Sequence, residues 1–153
     1  MKKLLMAGLL AVMGFAPLQA DSLSLRVFGK SIHTGQCRGG CSEENPGVGF
    51  DFIRGDTFFN AGAVKNSFSQ NSFYLGAGRY VQFGNNFWLR LSGWGGLIYY
   101  PSPLRKENLW PGFLPSVSIG TKRISLTGTY IPDIKNYVVP AWMFNMNLII
   151  WEK

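Results

Sequence analysis

The chain has 153 residues and carries 15 Lys and Arg against 8 Asp and Glu, a formal net charge of +7 at pH 7, which allows a targeting segment and one domain but no more. It holds no Gly-x-Ser-x-Gly elbow, metal-ligand cluster, phosphate-binding Gly-rich loop or nucleic-acid module, so most enzyme classes and nucleic-acid binding have no support. Hydrophobic residues make up 46% of the chain, yet after Phe15 they are dispersed, and without a second apolar stretch of about 18 residues a helical membrane protein is excluded.

In chain order, Lys2 and Lys3 precede an apolar run from Leu4 to Phe15 and the small-residue exit Leu18-Gln19-Ala20. This reads as a signal peptide over residues 1–20, followed by a domain over 21–153. Export turns the basic excess towards anionic lipid or lipopolysaccharide phosphates. From Asp21 onward the apolar residues recur at period two. Leu23, Leu25 and Val27 alternate with Ser22, Ser24 and Arg26, and Val48, Phe50 and Phe52 with Gly47, Gly49 and Asp51. Phe59, Ala61 and Ala63 mark a weaker third strand; Phe73, Leu75, Ala77 and Val81 a fourth; Phe87, Leu89, Leu91 and Leu97 a long fifth. Val117 and Ile119 mark a short sixth strand after Pro115, Ile124, Leu126 and Tyr130 a seventh, and Trp142 through Ile150 the last.

Eight such strands predict an all-β fold, an eight-stranded antiparallel transmembrane β-barrel of the outer-membrane type, in which one face of each strand meets lipid and closure satisfies the backbone. Arg54-Gly55-Asp56, Phe83-Gly84-Asn85-Asn86 and Thr121-Lys122-Arg123 read as tight periplasmic turns, and the segments near 34–46, 66–71, 99–112 and 132–139 as longer outer loops. Trp94, Tyr99, Tyr100, Trp110, Tyr130, Tyr137 and Trp142 read mostly as interfacial girdle residues. A soluble secreted barrel or sandwich, with the same alternation facing a core, is the alternative.

For chemistry, the single histidine, His33, ends the first strand, and Ser67 opens the second outer loop, so up-and-down topology puts both on one rim. An imidazole beside a hydroxyl supports acyl transfer, taking the hydroxyl proton and later returning one to the leaving group. Alternation places His33 in register with Leu25 and Val27 on the lipid side, so a bulge or loop conformation is needed to turn it inward. Cys37 and Cys41 lie in an exported loop and read as a disulfide, with a metal site that adds His33, and free thiols, as the other readings.

Beyond these residues, Leu114-Pro115, Ser118 and Gly120, then Thr129-Tyr130-Ile131-Pro132 and Ala141-Trp142-Met143, follow one another in the order of known elements. Lys65-Asn66-Ser67-Phe68 with Gly76-Ala77-Gly78 forms a second block. In both, the chain resembles the lipid A palmitoyltransferase (PagP) family. The resemblance implies an outer-membrane enzyme that needs no cofactor and moves a palmitoyl chain from a phospholipid to lipid A. By position it implies His33, Asn66 and Ser67 as the catalytic set, with Asn66, where the family has Asp, as the orienter of the imidazole. It also implies that Gly78, with Gly76, closes an acyl-chain pocket in the lumen.

Inside that lumen Arg26, Asp51 and Arg90 share the inward parity, and Tyr74, Trp94 and Phe113 are expected to line its outer half. Arg105, Lys106 and Lys135 in the outer loops are candidate phosphate contacts for lipid head groups. No metal is expected, and the barrel is expected to be a monomer in the outer membrane of a Gram-negative-type cell. Two other functions stay open: a non-enzymatic small barrel with a structural or surface-interaction role, and a lipid A or phospholipid deacylase.

Overall fold

A computed structural model of the protein describes residues 20–35, 40–102, 109–133 and 139–153. The proposed signal peptide falls on residues outside that set, apart from Ala20. Eight strands, β1 (Ser22–His33), β2 (Glu44–Arg54), β3 (Thr57–Lys65), β4 (Asn71–Phe83), β5 (Phe87–Tyr99), β6 (Leu109–Thr121), β7 (Ile124–Ile131) and β8 (Ala141–Glu152), form a closed antiparallel barrel. Each strand pairs with the next, and β8 returns to β1. Among the described residues no helix is long and apolar enough to cross a membrane; the strands form the wall.

Parity decides what kind of barrel this is. Val81, Leu91, Leu97, Val117, Leu126 and Phe144 are exposed on the outer wall. The interior, by contrast, buries Ser24, Asp51, Asn60, Ser118 and Thr127 among a few aromatic rings. A soluble barrel needs the opposite arrangement, since each large apolar side chain left in water forgoes roughly 1.5–3 kcal/mol. The wall is built to face hydrocarbon.

The tight turns fall as predicted, and Gly55 (φ 56°) and Gly84 (φ 88°) supply the left-handed residues that two of them require. Two strands are longer than expected. β2 begins at Glu44, and β6 runs from Leu109 through Pro111 and Pro115. Proline in β6 is tolerated because the strand pairs with β7 only from Ser116 opposite Thr129 to Gly120 opposite Ser125. Above that point the missing N–H has no β7 acceptor to serve. Two side chains also face differently from expectation. Phe113 points outward and is exposed, because β6 turns Leu114 and Ser116 inward. Trp94 is no girdle residue: it is buried in the lumen and donates its indole N–H to Asn60 Oδ1. Tyr137 and the side chain of Trp110 lie outside the described residues.

The lumen is filled by paired groups. The Arg26 guanidinium lies 2.9 Å from the Asp51 carboxylate, and Arg90 stacks between Trp88 (4.1 Å) and Tyr80 (4.4 Å) while bonding Gln82 at 2.6 Å. Across β5, β6 and β7, Ser92 meets Ser116 and Ser118 meets Thr127, each at 2.7 Å.

One irregularity positions the rim. The β1 register shifts between Phe28 and Lys30 against both neighbours, leaving Gly29 as a bulge. Below it the inward residues are Ser22, Ser24, Arg26 and Phe28; above it they are Ser31, which is buried, and His33, which is half-buried. The extra residue exchanges the two faces of the strand.

Candidate functional site

With β1 rephased, His33 faces the mouth of the lumen, where it pairs with Ala141 of β8. The next residue, Thr34, donates its N–H to the Pro140 carbonyl at 2.8 Å and fastens the strand end. Ser67 sits in the turn between β3 and β4. That turn closes through the Asn66 N–H to the Gln70 carbonyl (2.8 Å) and the Ser69 N–H to the Asn66 carbonyl (2.9 Å), with Ser69 left-handed at φ 58°. The Ser42 N–H donates to the Ser67 carbonyl at 2.8 Å, tying the turn to the loop that follows β1.

These anchors bring His33 Nε2 and Ser67 Oγ to 2.8 Å. With the imidazole proton on Nδ1, the hydroxyl donates to Nε2, the arrangement a general base requires. The hydroxyl and the imidazole come from residues 34 apart in sequence.

Asn66 does not join them. Its side chain is almost wholly buried, with Nδ2 donating to the Pro101 carbonyl (2.7 Å) and Oδ1 accepting from the N–H groups of Phe68 (2.9 Å) and Gln70 (3.1 Å). The role of imidazole orienter is therefore corrected to that of a clamp between the Ser67 turn and the Tyr100-Pro101 segment. Its amide suits this task because it both donates and accepts, which a carboxylate cannot do.

Two further residues enter the site that sequence reasoning did not assign to it. Glu43 adjoins the end of β1, where its carbonyl accepts the Ser31 N–H at 2.8 Å and its carboxylate lies 3.9 Å from Lys30 Nζ; burial disfavours the His33 imidazolium, and the Glu43 charge acts against that. Tyr100 is hydrogen-bonded to Ser67, and burial holds its phenol above the usual range, so it keeps its proton. No local pattern marks either residue, because each reaches the site through loop contacts.

Beneath the pair lies a cavity of about 160 Å³, lined near the rim by Asn66, Ser67 and Tyr100 and lower down by Arg26, Asp51 and Trp88. That is the size of a hole holding benzene, below the roughly 300 Å³ at which ligand pockets begin. This cavity is smaller than a palmitoyl chain. Gly76 and Gly78 face inward, but the rings of Trp94 and Phe58 lie directly over them. These glycines seat aromatic rings, in place of closing the acyl-chain pocket that the resemblance implied. Tyr74 and Trp94 do face the lumen and contact edge-on at 6.2 Å. Cys41 is in a disulfide; Cys37, Arg105, Lys106 and Lys135 lie outside the described residues.

No protein family and no curated protein matches the chain. Among solved structures it is similar to a de novo designed transmembrane β-barrel, with 11% identity over 86% of this chain and 97% of that one and a TM-score of 0.56. It also aligns with the Yersinia pestis outer membrane protein Ail (10% identity, 84% and 99% covered, TM-score 0.48). A third alignment is to the N-terminal β-barrel domain of Pseudomonas aeruginosa OprF (13% identity, 84% and 95% covered, TM-score 0.43). The fold is that of a small eight-stranded outer-membrane-type barrel.

Proposed function

We propose that the protein is an outer-membrane acyltransferase that moves a fatty acyl chain from a phospholipid to a hydroxyl of lipid A at its outer rim. The observation that carries this reading is the 2.8 Å contact between Ser67 Oγ and His33 Nε2 at the ends of membrane-spanning strands. That is the depth at which lipid esters meet the polar interface. The likeness of its C-terminal elements to the lipid A palmitoyltransferases supports the same substrates.

In this reading Ser67 Oγ attacks the ester carbonyl carbon and its proton passes to His33 Nε2. The acyl C–O bond then breaks, and the imidazolium returns the proton to the departing glycerol oxygen. A lipid A hydroxyl attacks the acyl-Ser67 ester, His33 takes that proton, and Ser67 recovers it as the ester breaks. Glu43 favours the imidazolium that forms twice in the cycle. The chain stays outside the filled lumen, so the barrel interior does not measure its length.

The test is mass spectrometry of lipid A from cells expressing the protein or its Ser67→Ala form. The expected result is a gain of one acyl mass, absent with Ser67→Ala although that variant retains heat-modifiable migration on gels. Loss of an acyl chain supports a deacylase, with water as the acceptor. Unchanged lipid A with a correctly folded barrel supports a non-enzymatic role.

A further inference from the structure

Acyl transfer through Ser67 builds negative charge on the carbonyl oxygen of the substrate, and that charge needs a donor fixed in place beforehand. Backbone amides after the nucleophile usually provide one. Here the N–H groups of Phe68 and Gln70 bond Asn66 Oδ1, those of Asn66 and Ser69 bond carbonyls of the same turn, and that of Ser67 itself is directed at the Tyr100 phenol oxygen. The residues on either side of Ser67 both reach across to one segment. Asn66 Nδ2 holds the Pro101 carbonyl at 2.7 Å, and the Phe68 ring meets the Tyr100 ring edge-on at 6.3 Å. Between these two contacts the Tyr100 phenol is hydrogen-bonded to Ser67 and, with it, lines the top of the cavity.

We propose that the Tyr100 hydroxyl is the oxyanion donor of the Ser67–His33 site. Before reaction it holds the serine oxygen with its proton directed at the imidazole. When Ser67 Oγ bonds to the ester carbon, the phenol O–H donates to the carbonyl oxygen, which carries the charge until the acyl C–O bond breaks. Tyr100 keeps its proton throughout and forms no covalent bond. This rests on the acyl-transfer reading and adds to it the group that stabilises the transition state.

The experiment uses the full chain refolded in lipid vesicles, assayed for acyl release from a phospholipid and for labelling by a serine-reactive fluorophosphonate. Tyr100→Phe keeps the ring contact with Phe68 and removes only the hydroxyl. The expected result is a kcat lower by about 10²- to 10³-fold with KM unchanged, the size found when one oxyanion donor is lost. Turnover within about twofold of wild type, in a protein that Ser67→Ala inactivates, overturns the role of Tyr100 alone. Absence of both turnover and labelling in the folded wild type overturns the acyl-transfer reading and this proposal with it. Should Tyr100→Phe fail to fold, a fluorinated tyrosine at position 100 preserves the shape and makes the phenol more acidic. The basic limb of the rate profile then moves to lower pH if the hydroxyl acts, and stays in place if it only packs.

Discussion

The lumen and the rim of this barrel use similar polar residues in opposite ways. In the lumen, several polar groups are matched to one another, Arg26 to Asp51, Ser92 to Ser116 and Ser118 to Thr127, while the Ser72 and Tyr74 hydroxyls are buried without a partner among the described residues. Such pairs occupy a narrow tube around a cavity of about 160 Å³. At the rim the hydroxyl of Ser67 meets an imidazole, a group able to take its proton, and the surrounding hydrogen bonds fix loops more than they satisfy buried charge. A polar interior alone is therefore weak evidence for chemistry; a partner with a different proton affinity is stronger.

The sharpest test of that contrast is Arg26→Met. It leaves the Asp51 carboxylate without its ion-pair partner and should cost about 3–5 kcal/mol of barrel stability, measured by urea unfolding from vesicles. Activity per folded molecule should remain. If activity falls in proportion to nothing but Arg26 itself, the lumen takes part in the reaction and the contrast fails.

Asn66→Asp comes next and acts on the rim. A carboxylate in that place turns an oxygen towards the Pro101 carbonyl, where Nδ2 now donates at 2.7 Å. The expected loss is about 1–3 kcal/mol of local stability, seen as faster amide exchange in residues 66–70, together with a lower kcat. A rise in activity would instead restore the orienting role that the resemblance implied.

Glu43→Gln should be mildest. Half-exposed, and 3.9 Å from Lys30 Nζ, the carboxylate acts on His33 through partly solvated space, so a loss of threefold to tenfold in kcat is expected, about 0.6–1.4 kcal/mol. Without that charge the imidazolium is less favoured. The acid limb of the rate profile should consequently shift to lower pH; no shift would remove Glu43 from the site.

Much of the fold was legible because a transmembrane strand states its two faces at every second residue, and tight turns declare themselves by glycine. The errors fall where that local rule is not the deciding one. The sixth strand read as short, starting after Pro115, but the cost of a missing donor depends on whether a neighbour is there to accept, and upper β6 has no such neighbour on its β7 side. Trp94 read both as girdle and as lumen, and Phe113 as lumen, because an aromatic residue suits either side of a wall. For the site, His33 and Ser67 could be placed on one rim from topology. The work of Asn66, Glu43 and Tyr100 could not, since each acts through a loop contact with another segment.

The Gly29 bulge has a consequence for the two faces of β1. It acts as a half-period slip in the strand, so the code for lipid and lumen is read in one frame below it and in the other above. The positions that meet the membrane below it, Leu23, Leu25 and Val27, and those that face the mouth above it, Ser31 and His33, thereby lie on one parity of a single strand. One glycine turns the same stripe of positions from the lipid to the mouth of the barrel.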